Sequence, residues 1–537
     1  MESAPIALAA AGVVAAKSNC NVDTIAKFLP KNSTVFYADH YEKGYNFTPP
    51  IEYNYGLTSD PMGISAYELP LAGCVAQANI SLPNNTQHSV GFALPDEWNG
   101  RFMAVGNGEF SGSVGWSSII NTMWYGFASV STDTGHEGNN GSFGYHNEAA
   151  LANWGYRALH NAVVNGKEVT KGYYDQNISY SYYRGCSAGG KQGLKEVEMY
   201  PEDFDGVIAG APAWWTTHQQ LWNVLTAIWN LPETADYHVT DDRMTAVQDE
   251  ILKQCDPQDG LVDNILQNPL GCVFDPTPVM CNATSSNDTC VTAAQMETVN
   301  KMFNPWVEAN DTLGFPGYTL GTEVGAPTLD SDFVTYIQYM LQIGGDWTWE
   351  DWNPSLLELS DRLNPGNATA DDFNIAPFYE KGGKLLHYHG YSDPSIATGA
   401  SFYFYNHVQE ALRPQDVPVD DFYRFFLIPG MEHCTGTPTD QSAPYYMNGD
   451  SQAASLSGTV FGVPGFNDEK HDLVRAVMAW VENGTAPDYL IPTKYKNDVV
   501  ADGVDKQRPI CAHPKLAKYN GSGDANKAEN WHCASLY

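Results

Sequence analysis

The chain has 537 residues, with 63 Asp and Glu against 28 Lys and Arg, a formal net charge of −35. So acidic a surface excludes a general affinity for nucleic acid or anionic membrane, and no apolar run reaches the roughly 20 residues of a membrane span. Hydrophobic residues at 43% and aromatics at 12% supply a large packed core, in two or three domains or in one large domain with an insertion.

Residues 6–16 (IALAAAGVVAA) open the chain as an apolar stretch of signal-peptide length, with Glu2 and no Lys or Arg before it. The stretch reads either as a signal remnant or as the first buried helix. Strands are expected at 90–94 and 101–105 around a turn at 95–100, and at 126–132. Residues 178–184 (ISYSYYR) alternate like a strand that Gly185 ends, and 191–199 have helix-forming composition, giving strand, sharp turn, helix. A short buried strand follows at 207–211. From 214 to 379 the chain is rich in Trp, Asn, Asp and Pro and holds four of the ten cysteines. Strands return at 384–389 (KLLHYH) and 422–428 (FYRFFLI), with a helix at 400–412 between them and another at 471–483. This order predicts an α/β core built from 1–213 and 380–537, interrupted by an inserted domain at 214–379.

Ten cysteines, with no CxxC, and twelve N-x-S/T sequons point to an oxidising secretory route and a secreted, extracellular protein. Nothing in the sequence sets an oligomeric state.

Gly185-Cys186-Ser187-Ala188-Gly189 has the G-x-S-x-G form of a nucleophile elbow, in which glycines permit the turn and a helix N-terminus faces the developing oxyanion. Such a pentapeptide arises by chance in Gly-rich chains, so its partners matter. Asp393 lies just past KLLHYH and His433 just past FYRFFLI, in the order Ser, Asp, His of an α/β-hydrolase. Ser187 would attack, His433 would move its proton, and Asp393 would orient the imidazole. Cys186 precedes the Ser and Cys434 follows the His; a disulfide between them would tie nucleophile and base loops together.

The Cys186-Ser187, Asp393 and His433-Cys434 pattern resembles that of the tannase/feruloyl esterase family. The resemblance runs through GCSAGGKQG at 185–193, YPEDFDGVIAGAPA at 200–213, GGKLLHYHG at 382–390 and DFYRFF at 421–426. It implies an α/β-hydrolase whose lid is inserted between nucleophile and acid. It implies a structural Ca2+ in that lid, held by the side chains of Asp256, Asp259 and Asp263 and the backbone oxygens of Leu261 and Ile265. Three carboxylates around a turn glycine suit a hard cation, although a solvated acidic turn has the same residues. It also implies an oxyanion hole from Ala188 and, in the loop Gly106-Asn107-Gly108-Glu109, Gly108; a hairpin turn is the other reading of that loop, and many relatives carry Gly where this chain has Glu109. The cysteines would pair as Cys20–Cys74, Cys186–Cys434, Cys255–Cys272, Cys281–Cys290 and Cys511–Cys533.

The family's substrates are phenolic esters: hydroxycinnamoyl esters of plant cell-wall polysaccharide for feruloyl esterases, galloyl esters for tannases. The first is preferred here. The lid tryptophans Trp214, Trp215, Trp222, Trp229, Trp347, Trp349 and Trp352 suit, collectively, a stacked phenolic ring, although core packing is the expected role of any one of them. Readings from other classes are an inactive calcium-dependent carbohydrate-binding protein, opposed by the intact Ser-Asp-His set, and a glycoside hydrolase, whose carboxylate pair cannot be singled out among 63 acids.

Overall fold

The structure, a computed structural model, describes residues 19–50, 66–282 and 289–535; the apolar stretch at 6–16 lies outside them. Nine strands form one sheet: β1 Thr34–Tyr41, β2 Gly73–Leu82, β3 Thr86–Pro95, β4 Arg101–Val105, β5 Ala128–Thr132, β6 Tyr180–Cys186, β7 Gly206–Gly210, β8 Lys384–Gly390 and β9 Tyr423–Ile428. Their order is β1-β2-β3-β5-β4-β6-β7-β8-β9. The first three strands and β5 pair antiparallel, and every pairing from β5 through β4 to β9 is parallel.

The parallel half is apolar because helices cover both of its faces. Neighbouring strand residues point to opposite sides. Ala104, Tyr183, Val207, Leu385 and Phe425 pack against helices α2 (Ala158–Tyr174), α3 (Ala188–Met199) and α5 (Gly399–Leu412). Met103, Tyr182, Ile208, Leu386 and Phe426 face α1 (Trp116–Met123) and α6 (Leu473–Asn483). Helix α6 starts at 473 rather than 471 because the Asp472 side chain caps it, accepting from Val474 N and Arg475 N.

Two local expectations change. The strands at 90–94 and 101–105 do not form a hairpin, since β5 lies between β3 and β4. The strand before the elbow does not stop at Gly185. It runs on to Cys186, held in register with β7 by the Gly185↔Ala209 and Cys186↔Gly210 pairs.

Between β7 and β8 the chain leaves the sheet for helices α4 (Thr216–Ile228), Asp241–Cys255, Ala293–Phe303 and Ser355–Leu363 and a small ribbon, Trp306–Val307 with Leu313–Phe315. Its core, around Trp222, Val247, Met302 and Tyr336, is continuous with Phe110, Trp154 and Ala400 of the sheet portion. Among the described residues five disulfides form, in the pairing the resemblance implies, and no cysteine is free. Among the same residues no helix is long and apolar enough to cross a membrane.

Helix α3 packs so tightly on the sheet that Gly190 has no room for a side chain: a Cβ there would meet Gly210 O at 2.3 Å and Pro212 Cα at 2.9 Å. Both are backbone and cannot swing aside. Gly190→Ala is therefore expected to destabilise the protein by about 1–3 kcal/mol, read as a lower denaturation midpoint. An unchanged midpoint would show that α3 can shift freely.

Candidate active site

Ser187 stands between β6 and α3 at φ 62°, ψ −125°, a backbone conformation that a residue with a Cβ avoids. Its backbone is tied on both sides: its N–H donates to Gly210 O, and its carbonyl accepts from Lys191 N and Ala213 N, each at 3.0 Å. Cys434 is also left-handed, at φ 62°. Its disulfide to Cys186, with Cα atoms 6.0 Å apart, brings the turn after β9 against the elbow.

Asp393 lies three residues past β8 and is 1% exposed. Its Oδ1 accepts from Ser395 N and Ile396 N, both at 2.8 Å. Its Oδ2 accepts from His433 Nδ1 at 2.7 Å and from His389 Nε2 at 3.0 Å. Burial alone would raise the Asp393 pKa; the charge of His433 and the hydrogen bonds from His389 and His433 outweigh it and hold the carboxyl below the usual range. For His433 burial works downward, and the attraction of Asp393, helped by Glu109, wins and raises it. The pair is a carboxylate and an imidazole whose Nδ1–H points at it, leaving Nε2 for proton transfer.

Behind Asp393 runs a chain the sequence reading missed. His389 Nδ1 meets Ser401 Oγ at 2.7 Å, Ser401 meets His387 Nε2 at 2.8 Å, and His387 Nδ1 meets Tyr423 Oη at 2.7 Å. Both histidines belong to KLLHYH. Their alternation along β8 was the available signal, since residues two apart on a strand share a face.

The loop after β4 is no hairpin, because both neighbours of β4 run parallel to it. Asn107 organises it. Its amide donates to Ser113 O and Thr132 O, while Gln192 of α3 accepts from Asn107 N and donates to Asn107 Oδ1. Gly106 N is spent on Arg184 O. The sequence reading missed Gln192 as the clamp between this loop and helix α3. Ala188 lines the pocket; from the loop, Glu109 and Phe110 line it, while Gly108 is exposed. Glu109 has φ 46°, the region where glycine is unstrained.

Ser187 and His433 open together into one pocket with walls of Phe110, Trp154, Phe333 and Ile396. None of the seven lid tryptophans is among its lining residues. Trp214 is buried against Phe373 and Phe404, and Trp222 against Phe315 and Tyr318. The indole that serves the pocket is Trp154, from the sheet portion.

The acidic loop follows helix Asp241–Cys255 and is closed by Cys255–Cys272. Asp256 is buried, Gly260 turns at φ 92°, and Asp259 Oδ2 is buried with no hydrogen-bond partner. Desolvation first, then Asp263 and Asp256, push the Asp259 carboxyl up to about 6. Asp263 ion-pairs with Arg508. Elsewhere His160, Glu196 and Asp203 bring ligand atoms within 4.8 Å of one another, with the Lys167 amine 3.8 Å from Asp203; both acidic clusters thus have a basic side chain beside one carboxylate.

A family model described as tannase and feruloyl esterase matches residues 74–338 and 340–534. The chain is 33% identical over 498 residues to probable feruloyl esterase B-1 of Aspergillus oryzae, covering 90% of this chain and 88% of the relative. It is 32% identical over 469 residues to feruloyl esterase B of Aspergillus niger, covering 86% of each. The crystal structure of feruloyl esterase B from Aspergillus oryzae superposes with a TM-score of 0.85 at 32% identity, over 97% of this chain and 100% of that one. Tannin acyl hydrolase from Aspergillus niger shares the fold at a TM-score of 0.72 and 21% identity, over 96% of this chain and 95% of that one.

A base must be neutral to accept a proton, so activity requiring His433 falls as pH drops through its pKa. That pKa is raised, in part by Glu109. In Glu109→Gln the acidic limb of the kcat/KM profile should therefore move to lower pH. A limb that stays in place would remove Glu109 from the electrostatics of the site.

Proposed function

The chain belongs to the tannase and feruloyl esterase family, and we propose that it is a secreted serine carboxylesterase hydrolysing phenolic acid esters through Ser187, His433 and Asp393. The carrying observation is the His433–Asp393 hydrogen bond of 2.7 Å, opening into the pocket that also contains Ser187. Ser187 Oγ attacks the ester carbonyl as His433 Nε2 takes its proton; the imidazolium is stabilised by Asp393 and protonates the leaving alcohol. Water, activated by the same His433, then cleaves the acyl-enzyme and frees the acid. Ala188 N–H at the start of α3 and a donor from the 106–109 loop receive the oxyanion.

Hydroxycinnamoyl esters are the preferred substrate in this reading. The support is the feruloyl esterase B relatives at 32–33% identity, beside a tannin acyl hydrolase similar only in fold. Secretion is supported by the five disulfides and by the eleven described sequon asparagines, none of which is buried.

The acidic loop offers a hard cation oxygen donors only, and a buried, unpartnered Asp259 Oδ2 lies among carboxyls that repel one another; Asp263 would have to share its carboxylate with Arg508. Asp256, Asp259 and Asp263 with the Leu261 and Ile265 carbonyls would hold Ca2+. The ion's role would be to fasten the loop at the end of its helix, with no part in the chemistry.

Released acid from methyl ferulate and methyl gallate, followed by chromatography, tests the esterase reading. Ferulate release that falls at least about 10⁴-fold in Ser187→Ala would support it. Gallate release alone would make the protein a tannase, and an undiminished mutant would sink the serine mechanism. For the cation, chelator should lower the wild-type melting temperature and calcium restore it, while Asp259→Asn responds to neither. Wild-type melting indifferent to both would remove calcium from the loop.

A further inference from the structure

Away from the pocket, His160 of α2, Glu196 of α3 and Asp203 in the turn before β7 gather their ligating atoms within 4.8 Å of one another. Glu196 is 2% exposed, and its Oε2 is buried without a hydrogen-bond partner. Buried polar atoms are nearly always paired, and a buried carboxylate is costly unless its charge is met. Asp203 is better provided. Its Oδ2 lies 2.7 Å from His160 Nδ1, and its Oδ1 lies 3.8 Å from the Lys167 amine. That amine also donates to the Asp203 carbonyl oxygen and stands 5.4 Å from the centre of the Phe204 ring.

One ammonium therefore serves two carboxyl groups, and Glu196 is the one left without a positive partner. Burial, then the Asp203 carboxylate, push the Glu196 carboxyl well above its ordinary range. Ionised carboxyl oxygens only accept, so the space between these two calls for a proton or a cation. The imidazole favours the cation. His160 lies flat on Tyr200, with ring centres 3.5 Å apart and planes 7° from parallel, so its Nδ1 is held toward the carboxyls. Its side chain is 29% exposed, which gives an ion a way in. An imidazole with two carboxylates suits a divalent transition metal, zinc first. Calcium takes oxygen donors, so the ligand set separates this cluster from the loop at 256–265.

We propose that His160, Glu196 and Asp203 form a zinc site, with water completing the coordination on the exposed side. His160 binds through Nδ1 and carries its proton on Nε2, and the two carboxylates balance the charge of the ion. The metal fastens the last turn of α3 to α2 and to the turn that leads into β7. Glu196 stands nine residues after Ser187, roughly 14 Å along the helix, so the ion acts on stability and takes no part in chemistry at Ser187.

The test strips the full chain with chelator, returns it to excess Ca2+ and titrates it with Zn2+ by calorimetry. Wild type and Asp259→Asn are expected to take up one Zn2+ per chain and to melt at a higher temperature with it. Glu196→Gln and His160→Ala should bind at least about 10-fold more weakly and gain no melting temperature. Glu196→Gln keeps the side chain's shape and gives Asp203 an amide N–H, so without zinc it should melt as the wild type does. Co2+ reads the ligand set in the wild type alone: one exchangeable imidazole N–H proton, from His160 Nε2, should show a metal-shifted NMR signal. No uptake of Zn2+ by the wild type would leave a shared proton between the carboxyls and overturn the site. So would zinc that excess Ca2+ displaces, binding unchanged in both variants, or a Co2+ complex without the imidazole signal.

Discussion

The face proposed for catalysis depends on one covalent constraint, the bond between Cys186 and Cys434. It joins the residue before Ser187 to the residue after His433 across 248 positions, spanning the whole inserted segment. Closing so long a loop is worth about 5 kcal/mol on the chain-entropy model. That matters because both turns are strained: Ser187 and Cys434 each hold φ 62°, and such conformations cost about 1–3 kcal/mol apiece. They persist only where their surroundings leave no alternative. The hydrogen bonds of Ser187 to Gly210, Lys191 and Ala213 and the close fit of Gly190 on Gly210 and Pro212 supply the rest of that restraint.

Asp393 presents the opposite problem, a charge rather than a strain. A carboxylate this buried is unfavourable unless its lone pairs are occupied. Two backbone N–H groups take one oxygen, and two histidines take the other. Behind it the hydrogen bonds continue from His389 Nδ1 through Ser401 Oγ to His387 Nε2, and from His387 Nδ1 to Tyr423 Oη. Burial holds His387 well below its ordinary pKa, so its neutral ring donates at one nitrogen and accepts at the other.

What could be read from the sequence follows from which features are local. The elbow is legible because its chemistry lies in five consecutive residues, and Asp393 and His433 because each follows an apolar strand. The strands expected to pair around the turn at 95–100 show the limit. Strands adjacent in sequence usually neighbour in space, but β5 enters between β3 and β4, and nothing within 86–105 announces it. Helix α2 went unread because Asn165, Gly166, Thr170 and Gly172 dilute its pattern, and only the tertiary fit explains them: a Cβ at Gly166 would strike Val130 and Phe102. Composition reports that aromatic rings are present but not which way they face; Trp214 and Trp222 take the packing role expected for any one of the seven, while the ring that reaches the pocket, Trp154, was not singled out. Gln192 gave no signal because its partner, Asn107, lies 85 positions away.

The two sides of helix α3 then stand in contrast. Toward the 106–109 loop, Gln192 and Asn107 bond each other, and Asn107 also bonds Ser113 O and Thr132 O, which holds the loop in place. Toward the pocket, Lys191 Nζ lies over the Trp154 ring, and one atom in each of the Gln219, Gln220 and Asn223 amides has no hydrogen-bond partner. Rigidity on one side suits charge stabilisation, where the donors must already point at the oxygen when it forms. Polar atoms left unpaired on the other cost about 1–3 kcal/mol each, a cost that a fold pinned by five disulfides among the described residues can bear.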